Sequence, residues 1–124
     1  MLILDAAALV ALDRNDRAMW ARLKDCHLSG QAPLSHAGVV GQAWRGGPRQ
    51  ARLAKALAGV DTKALDYELG RAAGALLGRT GLADVVDAAL VLLAEDGDTI
   101  VTEDIDDLLA LAGGTGRRIE LLRP

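Results

Sequence analysis

The sequence predicts an α/β fold in which a parallel sheet is covered by helices on both faces. Short apolar runs that suit strands alternate with segments of helical periodicity, and this alternation is typical of parallel sheets. The segment ADVVDAALVLLA is apolar on nearly every side, which indicates a buried helix. The core must be built from aliphatic side chains, because Trp20, Trp44 and Tyr67 are the only aromatic residues.

Glycine, proline and acidic residues divide the first half of the chain into two strands and four helices. MLIL is a short apolar run that ends at Asp5, which is typical of a buried strand. Gly46 and Gly47 end one helix, and Pro48 suits the first turn of the next, which ends at Gly59. In chain order, the predicted elements are a strand at MLIL, helices over 6–12 and 16–26, a strand at 32–35, and helices over HAGVVGQAWRGG and PRQARLAKALAG.

The second half of the chain contains three further predicted strands, separated by helices. VDTKALD predicts a strand around 60–65, and apolar residues then recur at helical spacing from Leu65 to Leu77. Gly70, Gly74 and Gly78 share one face of that helix, which predicts the close approach of a neighbouring element. The last predicted elements are a buried helix over 84–95, a strand at DTIVTED, a helix at IDDLLALA, a turn at GGTG (113–116) and a strand at RRIELL.

The length and composition indicate one domain over residues 1–124. A chain of this length can bury a core of its own. Cys26 is the only cysteine, which excludes an internal disulfide. The N-terminus has no basic leader, and no apolar stretch approaches the roughly twenty residues that span a membrane. We therefore expect a cytoplasmic protein that makes no use of a membrane.

Acidic and basic residues are segregated along the chain, although the net charge is only −3. No acid lies between residues 25 and 61, and no Lys or Arg lies between residues 79 and 117, a segment with nine acids. An ordinary solvated surface mixes its charges, so this pattern predicts a basic and an acidic surface with different roles. The basic segment contains Arg45, Arg49, Arg52 and Lys55.

Carboxylates follow two of the predicted strands and open the buried helix. Asp5 ends the first strand, Asp104 follows TIV by two residues, and Asp84 and Asp87 begin the helix. Sites in parallel sheets form outside the carboxyl ends of the strands, so we expect these acids to converge. Two carboxylates about 4 Å apart repel by roughly 4 kcal/mol at an effective dielectric near 20, so such a cluster needs cations or protons. Oxygen ligands select hard ions, which predicts Mg²⁺ or Mn²⁺ rather than zinc.

Each acid also has a purely structural explanation. Asp84 with Asp87, and Asp104 with Asp107, could cap a helix and occupy its first turn. Asp5 has the weakest explanation of this kind, because an apolar strand runs directly into it. Both explanations stay open for each acid, and the combination favours a metal site.

Three motifs in fixed order connect the chain to a known family. LILDAAALVALDRND, GQAWRGGPRQARLAKAL and VVDAALVLLAEDGDTIVTEDIDDL together resemble the PIN-domain family, in particular the VapC-type toxins of bacterial toxin–antitoxin pairs. The resemblance covers essentially the whole chain. It implies a PIN-like fold, with a four- or five-stranded parallel sheet, and an endoribonuclease that depends on Mg²⁺ or Mn²⁺. It also implies a homodimer and a cognate antitoxin protein as partner.

The resemblance implies roles for individual acids by position. Asp5, Asp87 and Asp104 match the family's metal-binding acids. Asp84 is a second candidate near the position of Asp87, and Asp106 matches an auxiliary to Asp104.

Two further positions bear on activity. Thr102 matches the hydroxyl residue that precedes the last acid, although a strand threonine with a satisfied hydroxyl would give the same pattern. Gln42 stands where the family usually has a glutamate, and no acid between residues 26 and 60 can replace it. Gln42 can still offer a carbonyl oxygen or orient a water, but the site then carries one negative charge fewer.

Two functions follow from these residues. The first is metal-assisted hydrolysis of RNA phosphodiesters, with the backbone held by basic side chains that could equally be a solvated helix face. The second is a PIN-like module that binds RNA or a partner without cutting, which Gln42 favours. The shortage of aromatic residues argues against base stacking in either case. The arginines expected to hold RNA are Arg45, Arg49 and Arg52.

Overall fold

A computed structural model describes residues 1–124 as five strands that alternate with helices. In chain order the elements are β1 (Leu2–Leu4), α1 (Ala6–Asp13), α2 (Arg17–Leu28), β2 (Leu34–His36), α3 (Ala37–Ala43), a 3₁₀ turn (Pro48–Gln50), α4 (Ala51–Leu57), β3 (Asp61–Lys63), α5 (Tyr67–Thr80), α6 (Val85–Leu92), β4 (Thr99–Val101), α7 (Ile105–Thr115) and β5 (Glu120–Leu122). The structure contains no helix with both the length and the apolar character needed to cross a membrane.

The five strands form one parallel sheet in the order β3-β2-β1-β4-β5, which confirms the predicted fold class. The chain moves outward from β1 to β3, then returns to β4 on the other side of β1. The connections from β1 to β3 cross the sheet in one direction, and those from β3 through β4 to β5 cross it in the other. Because such crossovers are right-handed, α1 to α4 lie on one face of the sheet and α5 to α7 on the other. Contacts among the helices follow the same division. The reversal leaves a crevice between the carboxyl ends of β1 and β4, where open α/β sheets bind their ligands.

The core is aliphatic, as the sequence predicts. The central strands contribute Ile3, Leu4, Ile100 and Val101, which are almost completely shielded from solvent. The segment Ala88–Val91 of α6 is buried on every side, which explains why its sequence lacks a polar face. The cluster of buried core residues contains no aromatic side chain.

The predicted helix at HAGVVGQAWRGG is shorter in the structure. His36 belongs to β2, and α3 ends at Ala43 because the Gln50 side chain replaces the next helical hydrogen bonds. Its Oε1 accepts from the N–H groups of Arg45 (2.6 Å) and Gly46 (2.9 Å), and its Nε2 donates to the carbonyl of Ala43 (2.9 Å). The buried helix predicted over 84–95 likewise ends early, at Leu92.

The prediction of a turn at GGTG is wrong for its first three residues. Helix α7 continues through Gly113 and Gly114 to Thr115. Only Gly116 leaves the helix, in a left-handed conformation with φ of 71° that glycine adopts without strain. Buried leucine and alanine residues of α7 pack against the core, and that packing outweighs the low helix propensity of two glycines.

The predicted close approach at the glycine stripe of α5 is also wrong. Gly70, Gly74 and Gly78 have no atom of another element within 4 Å of the place that a Cβ would occupy. The close contact between α5 and α7 lies instead at Gly114. A Cβ there would lie 2.6 Å from Cγ2 of Thr80 and 2.9 Å from Cδ1 of Leu76.

Candidate metal centre

Thr102 joins the carboxyl ends of the two central strands. Its hydroxyl donates to Oδ2 of Asp5 (2.7 Å) and accepts from the backbone N–H of Asp104 (3.0 Å). The second oxygen of Asp5, Oδ1, accepts from the N–H of Ala6 (2.8 Å). Asp5 and Thr102 are both buried. The structure therefore brings Asp5 and Asp104 together, as expected for neighbouring parallel strands, and both carboxylate oxygens of Asp5 have hydrogen-bond partners.

The start of α6 places Asp87 at the same edge of the sheet. Asp84 is the N-cap residue, and its Oδ1 accepts from the N–H groups of Val86 (2.9 Å) and Asp87 (3.1 Å). The capping explanation therefore holds for Asp84. Asp87 lies in the first helical turn and is only 6% exposed, which is unusual for a carboxylate without a cationic partner.

Three carboxylates form the candidate metal centre. One oxygen each of Asp87, Asp104 and Asp107 lies within 4.8 Å of the other two. Asp104 occupies the N-cap position of α7, but its side chain makes no capping hydrogen bond and is free to face the cluster. Asp87 is buried whereas Asp104 and Asp107 are exposed, so the cluster is closed to solvent at Asp87, which we call its floor, and open to solvent on the side of the other two carboxylates.

The environment of the cluster raises the pKa of two of its members. Burial raises the pKa of Asp87 to about 7, and the negative charges of Asp84, Asp5 and Asp104 add to the effect. Loss of hydration and the charge of Asp107 raise the pKa of Asp104. The neighbouring Asp104 carboxylate also favours the protonated form of Asp87, whose pKa of about 7 lies near neutral pH. The metal-free cluster thus relieves its repulsion with a proton, and a cation would displace that proton.

The donor set indicates the kind of ion that the cluster could hold. All three donors are carboxylate oxygens, which hard cations such as Mg²⁺ and Mn²⁺ prefer. Such ions keep several of their own waters, and two exposed carboxylates leave room for them. The residues present therefore fit a divalent ion of this class.

The structure separates the predicted ligands into two groups. Asp5 lies outside the closely spaced set, and both of its oxygens already accept hydrogen bonds. Asp5 is also the N-cap residue of α1. The expectation that helix capping explains Asp5 less well than the other acids is therefore wrong. Asp106 is exposed and is not a member of the cluster, and Asp107 stands in its place. Asp107 lies three residues after Asp104 and therefore on the same helix face, a spacing from which it could have been predicted.

Gln42 lies near the end of α3 with an exposed side chain. None of the hydrogen bonds in the structure joins it to a clustered carboxylate, so it neither caps nor orients the acids in the metal-free protein.

The three predicted RNA-binding arginines do not lie on one helix. Arg45 follows α3, Arg49 is in the 3₁₀ turn and only Arg52 is in α4, so the three arginines do not form the face of a single helix. Arg52 donates to the carbonyl of Asp13, at the last residue of α1 (3.3 Å). Helix α1 has eight residues, which gives a length of about 12 Å between the Asp5 end and this end. The basic segment therefore lies away from the carboxylates.

His36 is a buried residue near the centre that the sequence did not indicate. Its Nδ1 accepts from the N–H of Gly38 (3.1 Å), which caps α3, and its Nε2 lies 2.9 Å from the carbonyl of Val86. Both hydrogen bonds form only in the neutral tautomer that carries its proton on Nε2. His36 thus ties the end of β2 to the residue before Asp87, and so fixes the position of the cluster's floor.

Comparison of the chain with protein-family models and with curated proteins gives no match. The functional argument therefore depends on the parallel sheet and on the acidic cluster at its central crevice, which are compatible with a nuclease-like fold.

Proposed function

We propose that this protein is an endoribonuclease that hydrolyses RNA phosphodiester bonds with Mg²⁺ or Mn²⁺, as its resemblance to PIN domains implies. The observation that carries the proposal is the cluster of Asp87, Asp104 and Asp107 at the crevice between β1 and β4. Structural acids are normally paired or capping, whereas Asp87 is buried with no cationic partner and has two further carboxylates within 4.8 Å of its own.

Different residues of the chain have different roles in this proposed reaction. Asp87 forms the buried floor, and Asp104 and Asp107 form the open side from which a phosphodiester can approach. Thr102 and Asp5 hold the loop that carries Asp104 in place. A bound Mg²⁺ or Mn²⁺ supplies an activated water and offsets negative charge on the phosphate, so RNA is attracted to an otherwise repulsive pocket.

The biological role that we propose is that of a toxin held by a cognate antitoxin, with the toxin itself a homodimer. The segregated charges support this role, because an antitoxin arginine could pair with the exposed carboxylates and exclude the metal. Purification from the native host tests both ideas. A monomer at micromolar concentration with no associated small protein would contradict them.

The test of the enzymatic proposal is cleavage of a defined RNA with Mn²⁺ or Mg²⁺ and with EDTA. Asp87→Asn should abolish cleavage while keeping the fold, since a neutral amide relieves repulsion in the cluster. Asp5→Asn is a poorer variant, because an amide nitrogen cannot accept from the Thr102 hydroxyl. Asp25→Asn, at an exposed site on α2, is the matched control and should cleave like the wild type. Equal cleavage by Asp87→Asn and the wild type would exclude this site.

A second candidate function is a binding module that has lost catalysis. Gln42 favours it, because the site has one carboxylate fewer than the family pattern. Tight Mn²⁺ binding at the cluster, without cleavage of any RNA by the wild type, would support this function over the first.

A further inference from the structure

A cavity of about 450 Å³ opens between α2 and α4, at the end of α1 that is far from the carboxylates. It is lined by Asn15, Trp20, Ala51, Arg52 and Lys55. It combines an aromatic side chain, two cations and a polar amide, and the metal centre uses none of them.

Trp20 supplies an indole that is fixed in place. Its Nε1–H donates to the carbonyl of Leu12 (3.0 Å), and the half-buried ring packs against the core while also lining the cavity. The shortage of aromatic residues argued against base stacking. The structure nevertheless places one of the two tryptophans beside two cations. Proteins that bind single-stranded nucleic acid combine aromatic and cationic side chains in this way.

The cavity carries net positive charge. Arg52 and Lys55 lie three residues apart, on one face of α4, and no acid forms an ion pair with either. Two acids lie near the cavity but outside its lining, so they lower its positive potential without pairing with either cation. Asp16 accepts from the N–H of Met19 (2.9 Å), and Asp13 Oδ2 accepts from Gln50 (3.4 Å) while its Oδ1 is shielded from solvent.

Asn15 completes the lining between α1 and α2. Its φ of 62° is a left-handed conformation that asparagine tolerates better than most residues. Its exposed side-chain amide makes no hydrogen bond within the protein and can both donate and accept.

We propose that this cavity is a subsite for single-stranded RNA, in which a nucleobase stacks on Trp20 and the adjacent phosphates contact Arg52 and Lys55. This inference rests on the proposed RNA substrate. A single strand is required, because bases paired in a duplex do not expose a face to an aromatic ring. The cavity lies about 12 Å or more from Asp5, which exceeds the Debye length of about 8 Å at physiological salt. RNA therefore binds this subsite whether or not a metal neutralises the carboxylates.

The experiment measures RNA binding in EDTA, where no metal-dependent cleavage occurs. Trp44→Phe leaves Trp20 as the only tryptophan, and its fluorescence is followed during titration with a short oligoadenylate. The oligonucleotide should quench Trp20. In the same background, the double variant Arg52→Gln, Lys55→Gln should bind the oligonucleotide at least tenfold more weakly. The slope of the logarithm of the binding constant against the logarithm of the salt concentration should also become shallower, by about 0.7 for each phosphate that is no longer neutralised. The matched control, Arg71→Gln with Arg79→Gln on α5, should bind like its parent.

Three outcomes would overturn the inference. They are an oligonucleotide that binds without quenching Trp20, equal loss of affinity in the α4 and α5 variants, and displacement of the oligonucleotide by inorganic tripolyphosphate at the same phosphate concentration. The last result would mean that the site holds phosphate and no base. Because none of these measurements involves cleavage, loss of the subsite and loss of the proposed activity are separate results.

Discussion

At the scale of single residues, the carboxyl of Asp87 has the most unusual environment in the molecule. It is buried beside three other acids, and burial is the largest cause that raises its pKa to about 7. The side chain therefore changes charge within the physiological range, which an exposed carboxylate does not do.

This pKa predicts how the stability of the metal-free protein depends on pH. An unfolded carboxyl titrates near pH 3.9, so between that pH and about 7 the folded protein holds a proton that the unfolded chain has lost. The contribution of Asp87 to stability is therefore present at acidic pH and is lost as pH rises to 7. Melting temperatures between pH 5.5 and 8 should fall for the wild type, and Asp87→Asn should lose this fall and melt higher at pH 8. Parallel curves would mean that Asp87 is ionised throughout.

Asp106 and Asp107 are a matched pair that tests which acid belongs to the cluster. Both lie in the first turn of α7, so each loses the same favourable interaction with the helix dipole on neutralisation. Asp107→Asn should weaken Mn²⁺ binding at least about tenfold, since residues that only support a metal ligand already have effects of that size. Asp106→Asn should leave the affinity unchanged. Calorimetric titration compares them, and the reverse order of affinities would restore the assignment made from the sequence.

Gln42→Glu tests the departure from the family pattern. The family pattern places residue 42 beside the metal-binding acids, so a glutamate there should add one negative charge to the site and bind Mn²⁺ several-fold more tightly. The metal-free variant should melt at a lower temperature, because repulsion increases. Both effects are read from melting temperatures during a Mn²⁺ titration. Curves that superimpose on those of the wild type would place residue 42 outside the metal site.

At the scale of elements, the sequence predicted every strand and the order of the helices. Apolar strands that end in an acid, and a helix apolar on all sides, are local patterns that packing reinforces. The failures occurred where a distant side chain decides the conformation. Gln50 ends α3 from across a loop, and the packing of buried leucine and alanine residues of α7 against the core keeps Gly113 and Gly114 helical.

Two glycine substitutions test the packing of α5 against α7. Gly114→Ala should destabilise the protein by about 1–3 kcal/mol. Its Cβ would meet the buried Leu76 side chain and the branched Thr80, whose hydroxyl is bonded to the Leu76 carbonyl (3.0 Å). Gly74→Ala, in open space on α5, should instead stabilise it by about 0.5–1 kcal/mol. Urea unfolding measures both, and a stabilising Gly114→Ala would show that the two helices can move apart at little cost.

At the scale of the whole molecule, the candidate site follows from topology. The strand order reverses at β1 and β4, which brings residues 5 and 104 together, and the crossover through α6 adds Asp87. The sequence could predict this convergence because all three acids follow or begin predictable elements. It could not predict the hydrogen-bonded role of Asp5, the link through His36 or the distance of the basic segment, since these depend on packing between elements.

The central claim is that the acidic cluster is a site for a divalent ion, and anomalous diffraction from crystals soaked in Mn²⁺ tests it most directly. We predict a peak at ligand distance, roughly 2.0–2.6 Å, from carboxylate oxygens of Asp87 and Asp104. Crystals of Asp87→Asn should lack this peak under the same soak. Anomalous peaks that occur only elsewhere on the surface, with none at the crevice between β1 and β4, would contradict the claim.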